Sequence, residues 1–157
     1  MNGLTLRGVR VEYGGCAVVS SVDETLSAGE WLCLIGPNGA GKSSLLRALA
    51  GIVDFSGSVQ LGGSEICGLS ARELARQVAF VPQDPVLPDD MSVTDYVMLG
   101  RNPYISTFGR ESAHDRDVVA GLITELSLAV YARRMLGTLS GGERQRVALA
   151  RALAGEA

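Results

Sequence analysis

A glycine-rich run that ends in lysine and serine carries the strongest chemical signal in the chain. Residues 36–43 read Gly-Pro-Asn-Gly-Ala-Gly-Lys-Ser, which matches the pattern G-x-x-x-x-G-K-[ST] at each fixed position. Glycines allow such a loop to turn its backbone N–H groups toward phosphate oxygens, and a helix that follows adds the positive end of its dipole. The run therefore predicts a loop that binds a polyphosphate.

The charged and hydroxyl groups of this loop have distinct predicted tasks. We expect the Lys42 ammonium to reach the β- and γ-phosphates and the Ser43 hydroxyl to bind Mg²⁺. Lys42 is the only lysine among the fourteen basic residues, which favours a specific role. The alternative is a glycine-rich turn that binds nothing. The residues predicted to bind the phosphates are Gly36, Pro37, Asn38, Gly39, Ala40, Gly41, Lys42, Ser43 and Ser44.

A second glycine cluster opens the last predicted helix. Residues 139–146 read Leu-Ser-Gly-Gly-Glu-Arg-Gln-Arg. Taken alone, Ser140 and the two glycines are most simply a helix N-cap with a flexible approach. The N–H groups at the start of that helix would also suit a second phosphate contact.

Periodicity predicts the elements that position these two clusters. Apolar runs and period-two alternation predict strands at 4–13, 31–35, 58–61 and 78–81. Helical spacing and serine N-caps predict helices from 42 to about 51 and at 70–77, 92–101, 117–130 and 140–154, with a loop at 102–112. Strands that alternate with helices predict an α/β fold with a parallel sheet, and the later helices predict a helical subdomain.

The combination of the two clusters resembles ABC-transporter ATPases, in which a run such as 139–146 is the signature motif. The resemblance extends from residue 4 to residue 157. It implies an α/β, P-loop NTPase (RecA-like) core with N-terminal antiparallel β strands and an inserted helical subdomain. It further implies one partial nucleotide-binding domain, with the P-loop core and β subdomain at 1–83, the helical subdomain at 84–139 and the signature helix at 140–157.

The same resemblance implies roles for individual residues. Tyr13 matches the aromatic residue that stacks on adenine, although a core tyrosine at a strand end is the alternative. Gln83 matches the glutamine that meets Mg²⁺ or the attacking water, with an ordinary solvated glutamine as the alternative. Lys42 and Gln83 would then be catalytic, and Ser43 and Gln83 would be the metal ligands. The residues that would contact ATP held by the opposite protomer are Ser140, Gly141, Gly142 and Glu143.

ATP, Mg²⁺ and several protein partners follow from the resemblance. Two copies, or this chain and another nucleotide-binding domain, would form a head-to-tail homodimer or heterodimer at the cytoplasmic face of the membrane. Transmembrane permease subunits would be direct partners, and a periplasmic or extracellular substrate-binding protein an indirect one. The stretch 94–104, which contains Gly100-Arg101-x-Pro103, resembles importers of iron–siderophore, haem or cobalamin, although an ordinary helix and loop also explain it.

The chain departs from the family pattern after the signature motif. The Walker B element, an apolar run followed by Asp-Glu, is not reached by residue 157. The pair Asp23-Glu24 precedes the P-loop, and His114 precedes the signature, so neither replaces the missing residues. We therefore expect the C-terminal part of the domain to be missing, and the chain alone to be marginally stable, to bind Mg-ATP weakly and to hydrolyse it negligibly.

Composition narrows the remaining function classes. A net charge of −3 argues against bulk binding of nucleic acid, and 46% hydrophobic residues exclude general disorder. Three widely spaced cysteines do not form a zinc pattern. Two alternatives to an importer subunit remain open: a soluble ABC-type ATPase that acts without a transporter, and a fragment that binds ATP without hydrolysing it.

Overall fold

The structure is a computed structural model that describes residues 3–106 and 109–156, and it divides the chain into two compact units. The first unit is Met1–Leu74 and the second is Ala75–Ala157. Tyr13 and the predicted phosphate loop belong to the first unit. Gln83 and the cluster around Ser140 belong to the second.

The first unit is built on a four-stranded antiparallel sheet. Its strands are β1 (Leu4–Tyr13), β2 (Cys16–Leu26), β3 (Ser56–Leu61) and β4 (Ser64–Glu65), in the order β2-β1-β3-β4. Gly14 and Gly15, with φ of 56° and 81°, form the turn between β1 and β2. Two successive positive φ angles match the right-handed twist of a hairpin, and glycine adopts them without strain. The predicted N-terminal antiparallel strands are confirmed.

Helix α1 (Lys42–Leu49) packs its apolar side on this sheet. The short helix α2 (Ala71–Leu74) is the last element of the unit. Leu45 and Ala48, three positions apart, are the buried residues of α1, as the helical period requires. The buried residues of the core are Leu6, Val9, Val11, Val19, Leu45, Ala48, Val59 and Ile66.

Two predicted strands are wrong. Residues 31–35 and 78–81 contain no strand, and the sheet is antiparallel where a parallel one was expected. Trp31 is 98% exposed and Ile35 is 90% exposed. A strand forms only when its backbone groups bond to a neighbour, and the part of the chain that the structure describes gives these segments no such partner. Their apolar composition, which favours a buried strand, is therefore not enough.

The second unit is helical. It contains α3 (Val93–Met98), α4 (Ala113–Glu125) and α5 (Gly141–Ala154). Each helix begins after a serine, and Ser112 and Ser140 form capping boxes with the acidic residue three positions later. The buried residues of its core are Leu87, Val93, Tyr96, Val97, Val119, Ile123, Leu128, Leu136, Leu139, Val147, Ala150 and Ala154.

Two helix boundaries differ from the expectation. The helix predicted at 117–130 is α4 at Ala113–Glu125, because the Ser112 capping box starts it earlier and Ser127, at a φ of 56°, follows its end. The helix predicted at 70–77 is only Ala71–Leu74. Within residues 3–106 and 109–156, every helix falls short of the length and apolar character that a membrane crossing requires.

Candidate nucleotide-binding site

The predicted phosphate loop lies between the irregular segment 31–35 and α1, and its last glycine touches the sheet. Gly39 and Gly41 have φ of 83° and 82°, a conformation that favours glycine. A Cβ on Gly41 would lie 2.3 Å from the carbonyl oxygen of Val18 and 2.9 Å from the Val19 side chain. Glycine is therefore required at position 41 both for the turn and for the close approach to β2.

Lys42 reaches back over the loop that precedes it. Its Nζ donates hydrogen bonds to the carbonyl oxygens of Gly36 at 2.8 Å and Pro37 at 2.7 Å. A lysine ammonium has three donors, so one N–H direction is left for a ligand. The side chain is held above the loop opening, where its charge would meet a phosphate.

The N-terminus of α1 supplies the second part of an anion site. Gly41 is the N-cap and provides no side-chain hydrogen bond, and no acidic residue lies in the first turn of α1. The first N–H groups of a helix have no partner within the helix, and the helix dipole adds positive potential to them. Uncapped amides, one ammonium and the exposed hydroxyl of Ser43 fit a polyphosphate with its Mg²⁺.

Tyr13 stands at the end of the hairpin, on the same strand pair that the loop touches. Its side chain is 46% exposed, and its partner across the hairpin is Cys16. Val18, which approaches Gly41, lies two residues beyond Cys16, or about 7 Å at the usual strand rise. The exposure is inconsistent with a tyrosine of the core and leaves the ring available for stacking.

The remaining predicted residues lie in the second unit. Gln83 is exposed in the irregular segment before α3. Ser140 is the N-cap of α5, and its backbone N–H donates to the Glu143 carboxylate at 2.7 Å. The backbone and hydroxyl of Ser140 hold the pKa of Glu143 below its ordinary value, so the carboxylate is ionised at neutral pH.

The two glycines of the second cluster expose the backbone of this helix start. Gly141 and Gly142 are exposed, and among the described residues no atom would lie within 4 Å of a Cβ on either. A ligand can therefore approach the main chain there closely. The Glu143 carboxylate, by contrast, is already bound by the capping box. Glu143 thus has a capping role in addition to its predicted contact with ATP.

Sequence reasoning missed two polar residues that support the start of α5. Arg144 donates from Nη2 to Asp89 Oδ1 at 2.5 Å and from Nε to the carbonyl oxygen of Leu136 at 3.2 Å. Arg144 adjoins the signature run, which could have drawn attention to it. Asp89 sits in a loop-like Pro-Asp-Asp sequence, and nothing in that sequence signals a partner 55 residues away.

A family model described as ABC transporter matches residues 19–157 of the chain. This span includes both glycine clusters. The chain belongs to the ABC transporter family. The family membership inferred from the residues is thereby confirmed, and so is the fold class, that of an ABC ATP-binding cassette.

The relatives of this ABC transporter-family chain include ATP-binding proteins of import systems. It is 37% identical over 155 residues to the iron(3+)-hydroxamate import ATP-binding protein FhuC of Bacillus subtilis. That alignment covers 98% of this chain and 58% of FhuC. It is 39% identical over 152 residues to the cobalamin import ATP-binding protein BtuD of Halobacterium salinarum. That alignment covers 96% of this chain and 38% of BtuD.

A solved structure of an inward-facing ABC transporter, assigned to the metal-chelate type, has the same fold as this chain over the matched region. Its TM-score is 0.78 at 31% identity, and the match covers 99% of this chain and 56% of that one. The chain spans about half the length of the curated relatives it matches.

Proposed function

We propose that this chain is the ATP-binding subunit of an ABC importer, which binds Mg-ATP and couples its hydrolysis to the uptake of iron chelates or cobalamin. The observation that carries the proposal is the uncapped N-terminus of α1 with the Lys42 ammonium held over the preceding loop. The import ATP-binding proteins among the relatives, which serve iron-hydroxamate and cobalamin, support the transport class.

The first unit would hold the nucleotide through four kinds of contact. The N–H groups of the loop and of the first turn of α1 bind phosphate oxygens, and Lys42 neutralises charge on the β- and γ-phosphates. The Ser43 hydroxyl is the metal ligand from this loop, and Mg²⁺, when bound, neutralises charge on the phosphates. Tyr13 stacks on the adenine ring.

The second unit contains the other residues of the proposed site. Gln83 orients the attacking water or meets the metal, and Ser140, Gly141 and Gly142 present their backbone to the γ-phosphate in the opposite protomer. This arrangement requires a head-to-tail dimer, either a homodimer or a heterodimer. The domain boundaries that we propose for it are 1–83, 84–139 and 140–157.

Membrane partners would convert dimer closure into transport. We place the subunit at the cytoplasmic face of the membrane, bound to transmembrane permease subunits, with a substrate-binding protein on the far side acting indirectly. Residues 1–157 contain no apolar run followed by Asp-Glu after Ser140. By themselves they would therefore bind Mg-ATP weakly and hydrolyse it negligibly, because no carboxylate would activate the water.

The single lysine makes the phosphate site directly testable. An amine-reactive reagent should label only Lys42 and the N-terminal amine, and peptide mass spectrometry separates the two. Saturating Mg-ATP is expected to slow the labelling of Lys42 at least about fivefold while the N-terminus reacts as before. AMP, which lacks the polyphosphate, is the matched control and should protect little. Equal reactivity of Lys42 with and without Mg-ATP in folded protein would refute the proposal.

A further inference from the structure

Two segments of the second unit that are distant in sequence are bonded to each other through their backbones. The Leu136 N–H donates to the Met91 carbonyl at 2.9 Å, and the Gly137 N–H donates to the Asp89 carbonyl at 3.1 Å. On the other side of this ladder, Val93 N–H donates to the Arg134 carbonyl at 3.1 Å. Residues 89–94 and 132–137 therefore form one hydrogen-bonded piece.

The two segments approach so closely that a side chain at position 137 is excluded. A Cβ on Gly137 would lie 2.8 Å from the Asp89 Cβ and 3.1 Å from its Oδ1. Asp89 is thereby placed directly over the chain that leads into α5. Its backbone and its side chain both face this approach.

Arg144 joins this piece to the first turn of α5. Its guanidinium bridges Asp89 Oδ1, at 2.5 Å, and the Leu136 carbonyl oxygen, at 3.2 Å. Its side chain is 31% exposed, whereas that of Asp89 is 78% exposed. One turn of helix thus receives a contact from each of the two bonded segments.

The neighbouring Gln145 makes a further contact at the other end of the segment. Its Nε2 donates to the Pro82 carbonyl oxygen at 3.5 Å, immediately before Gln83. The segment from 82 to 89 is therefore attached at both ends to consecutive residues of α5. Its middle, at Val86, is 96% exposed and open to a partner.

We infer that Asp89 and Arg144 are a positioning pair that ties the segment after Gln83 to the first turn of α5. The inference rests on the proposed function, in which Gln83 and Ser140 belong to the nucleotide site. The contact between the Asp89 carboxylate and the Arg144 guanidinium sets where this turn lies relative to residues 84–88. The pair holds the backbone of Gly141 and Gly142 in the orientation that presents it to a phosphate.

Amide hydrogen exchange of the full 157-residue chain, read by mass spectrometry, tests this link. Asp89→Asn and Arg144→Gln should each speed exchange of the helix-bonded amides of residues 144–148 by about two- to fivefold, the range of a partly exposed ion pair. The double variant should show no more than the larger single effect, because both substitutions break the same contact. The charge-exchanged variant Asp89→Arg with Arg144→Asp should restore part of the protection, because it restores the ion pair but not the hydrogen bond to the Leu136 carbonyl oxygen.

Asp90→Asn is the matched control, since the described part of the chain gives Asp90 no ion pair. It should leave exchange of 144–148 unchanged, and no variant should alter exchange of 150–154 at the far end of α5. The inference would be overturned if the double variant showed the sum of the two single effects. It would also be overturned if Asp90→Asn sped exchange as much as Asp89→Asn. Protection of Lys42 by Mg-ATP, measured on the same variants, reports separately on the proposed function, because Lys42 lies in the other unit.

Discussion

Arg101 donates from Nε to Asp115 Oδ1 at 2.8 Å, and both side chains are buried, with exposures of 2% and 7%. The Nη1 of the same guanidinium donates to the carbonyl oxygen of Ala154 at 2.8 Å. The ring of Tyr104 lies 4.2 Å from the guanidinium carbon. One arginine therefore joins the start of α4 to the end of α5, the helix whose first turn follows Ser140. It fixes the axis of α5 within the unit.

Removal of this arginine should cost a large part of the stability of the second unit. Arg101→Met would leave the Asp115 carboxylate buried without its cation, which typically costs about 3–5 kcal/mol. Urea unfolding followed by circular dichroism measures the loss. Arg116→Met is the control, because Arg116 is exposed and, among the described residues, donates to the Glu111 carbonyl alone, and it should cost less than about 0.5 kcal/mol. A loss below about 1 kcal/mol for Arg101→Met would contradict a structural role.

The same pair predicts a loss of stability in acid. Hydrogen bonds from Ser112 and then from Arg101 hold the pKa of Asp115 well below its ordinary value. In the unfolded chain this pKa returns to about 3.9, so the contribution is complete above about pH 5 and declines as the pH falls toward the lower folded pKa. Urea midpoints between pH 3 and pH 7 should show this decline. Asp115→Asn should be less stable at pH 7 and should have a flatter profile, and parallel profiles would refute the assignment.

Substitution by alanine should change stability in opposite directions at two glycines of the second unit. A Cβ on Gly100 would lie 2.2 Å from the Arg151 carbonyl oxygen and 2.8 Å from the Ala154 Cβ, so Gly100→Ala should cost about 1–3 kcal/mol. For Gly121, inside α4, no described atom other than its chain neighbours and the nearby backbone of α4 itself lies within 4 Å of that position, and Gly121→Ala should stabilise by about 0.5–1 kcal/mol. Melting temperatures of the two variants measure the contrast. Equal shifts would show that α5 can move away from Gly100.

Much of the second unit could be predicted from local signals. Serine caps located the starts of α3 and α5, because a side-chain oxygen before an apolar helical pattern satisfies the first N–H groups. The same signal at Ser112 was missed, so α4 was placed four residues too late. The buried Arg101–Asp115 pair was not predictable, since nothing local distinguishes it from a surface arginine and an N-terminal aspartate.

The sheet was harder to predict than the phosphate loop. Residues 36–43 follow a fixed local pattern, so a phosphate loop is predicted there without knowledge of distant neighbours. Strand pairing depends on distant neighbours, and the apolar runs at 31–35 and 78–81 do not say which neighbour they have. The strand β2 was missed although Gly14-Gly15 marks a hairpin between β1 and a second run rich in valine.

Removal of the Tyr13 ring should weaken binding of the adenine part of the nucleotide. Tyr13→Ala removes the stacking surface and should weaken Mg-ATP binding about five- to tenfold, within the usual energy of base stacking. Tyr13→Phe keeps the ring and should bind within about twofold of the parent chain. Titration with a fluorescent adenine nucleotide provides the measurement. If the two variants weaken binding equally, the hydroxyl of Tyr13, and not its aromatic face, is the important group.

The contact of Gly41 with β2 predicts that two loop glycines with nearly the same positive φ respond differently to alanine. Gly39 and Gly41 share nearly the same positive φ, so Gly39→Ala and Gly41→Ala each incur about 1–2 kcal/mol of backbone strain. Only at Gly41 does the new Cβ meet the Val18 carbonyl oxygen, at 2.3 Å, whereas no described atom lies within 4 Å of it at Gly39.

Gly41→Ala should therefore destabilise the first unit by about 1–3 kcal/mol more than Gly39→Ala, because either the start of α1 or β2 must shift. Chemical unfolding without nucleotide gives this difference free of any effect on the ligand. The shift should also displace Lys42, which follows Gly41 directly, and should abolish the protection of its amine by Mg-ATP. Equal stability of the two variants would mean that the loop does not rest on β2.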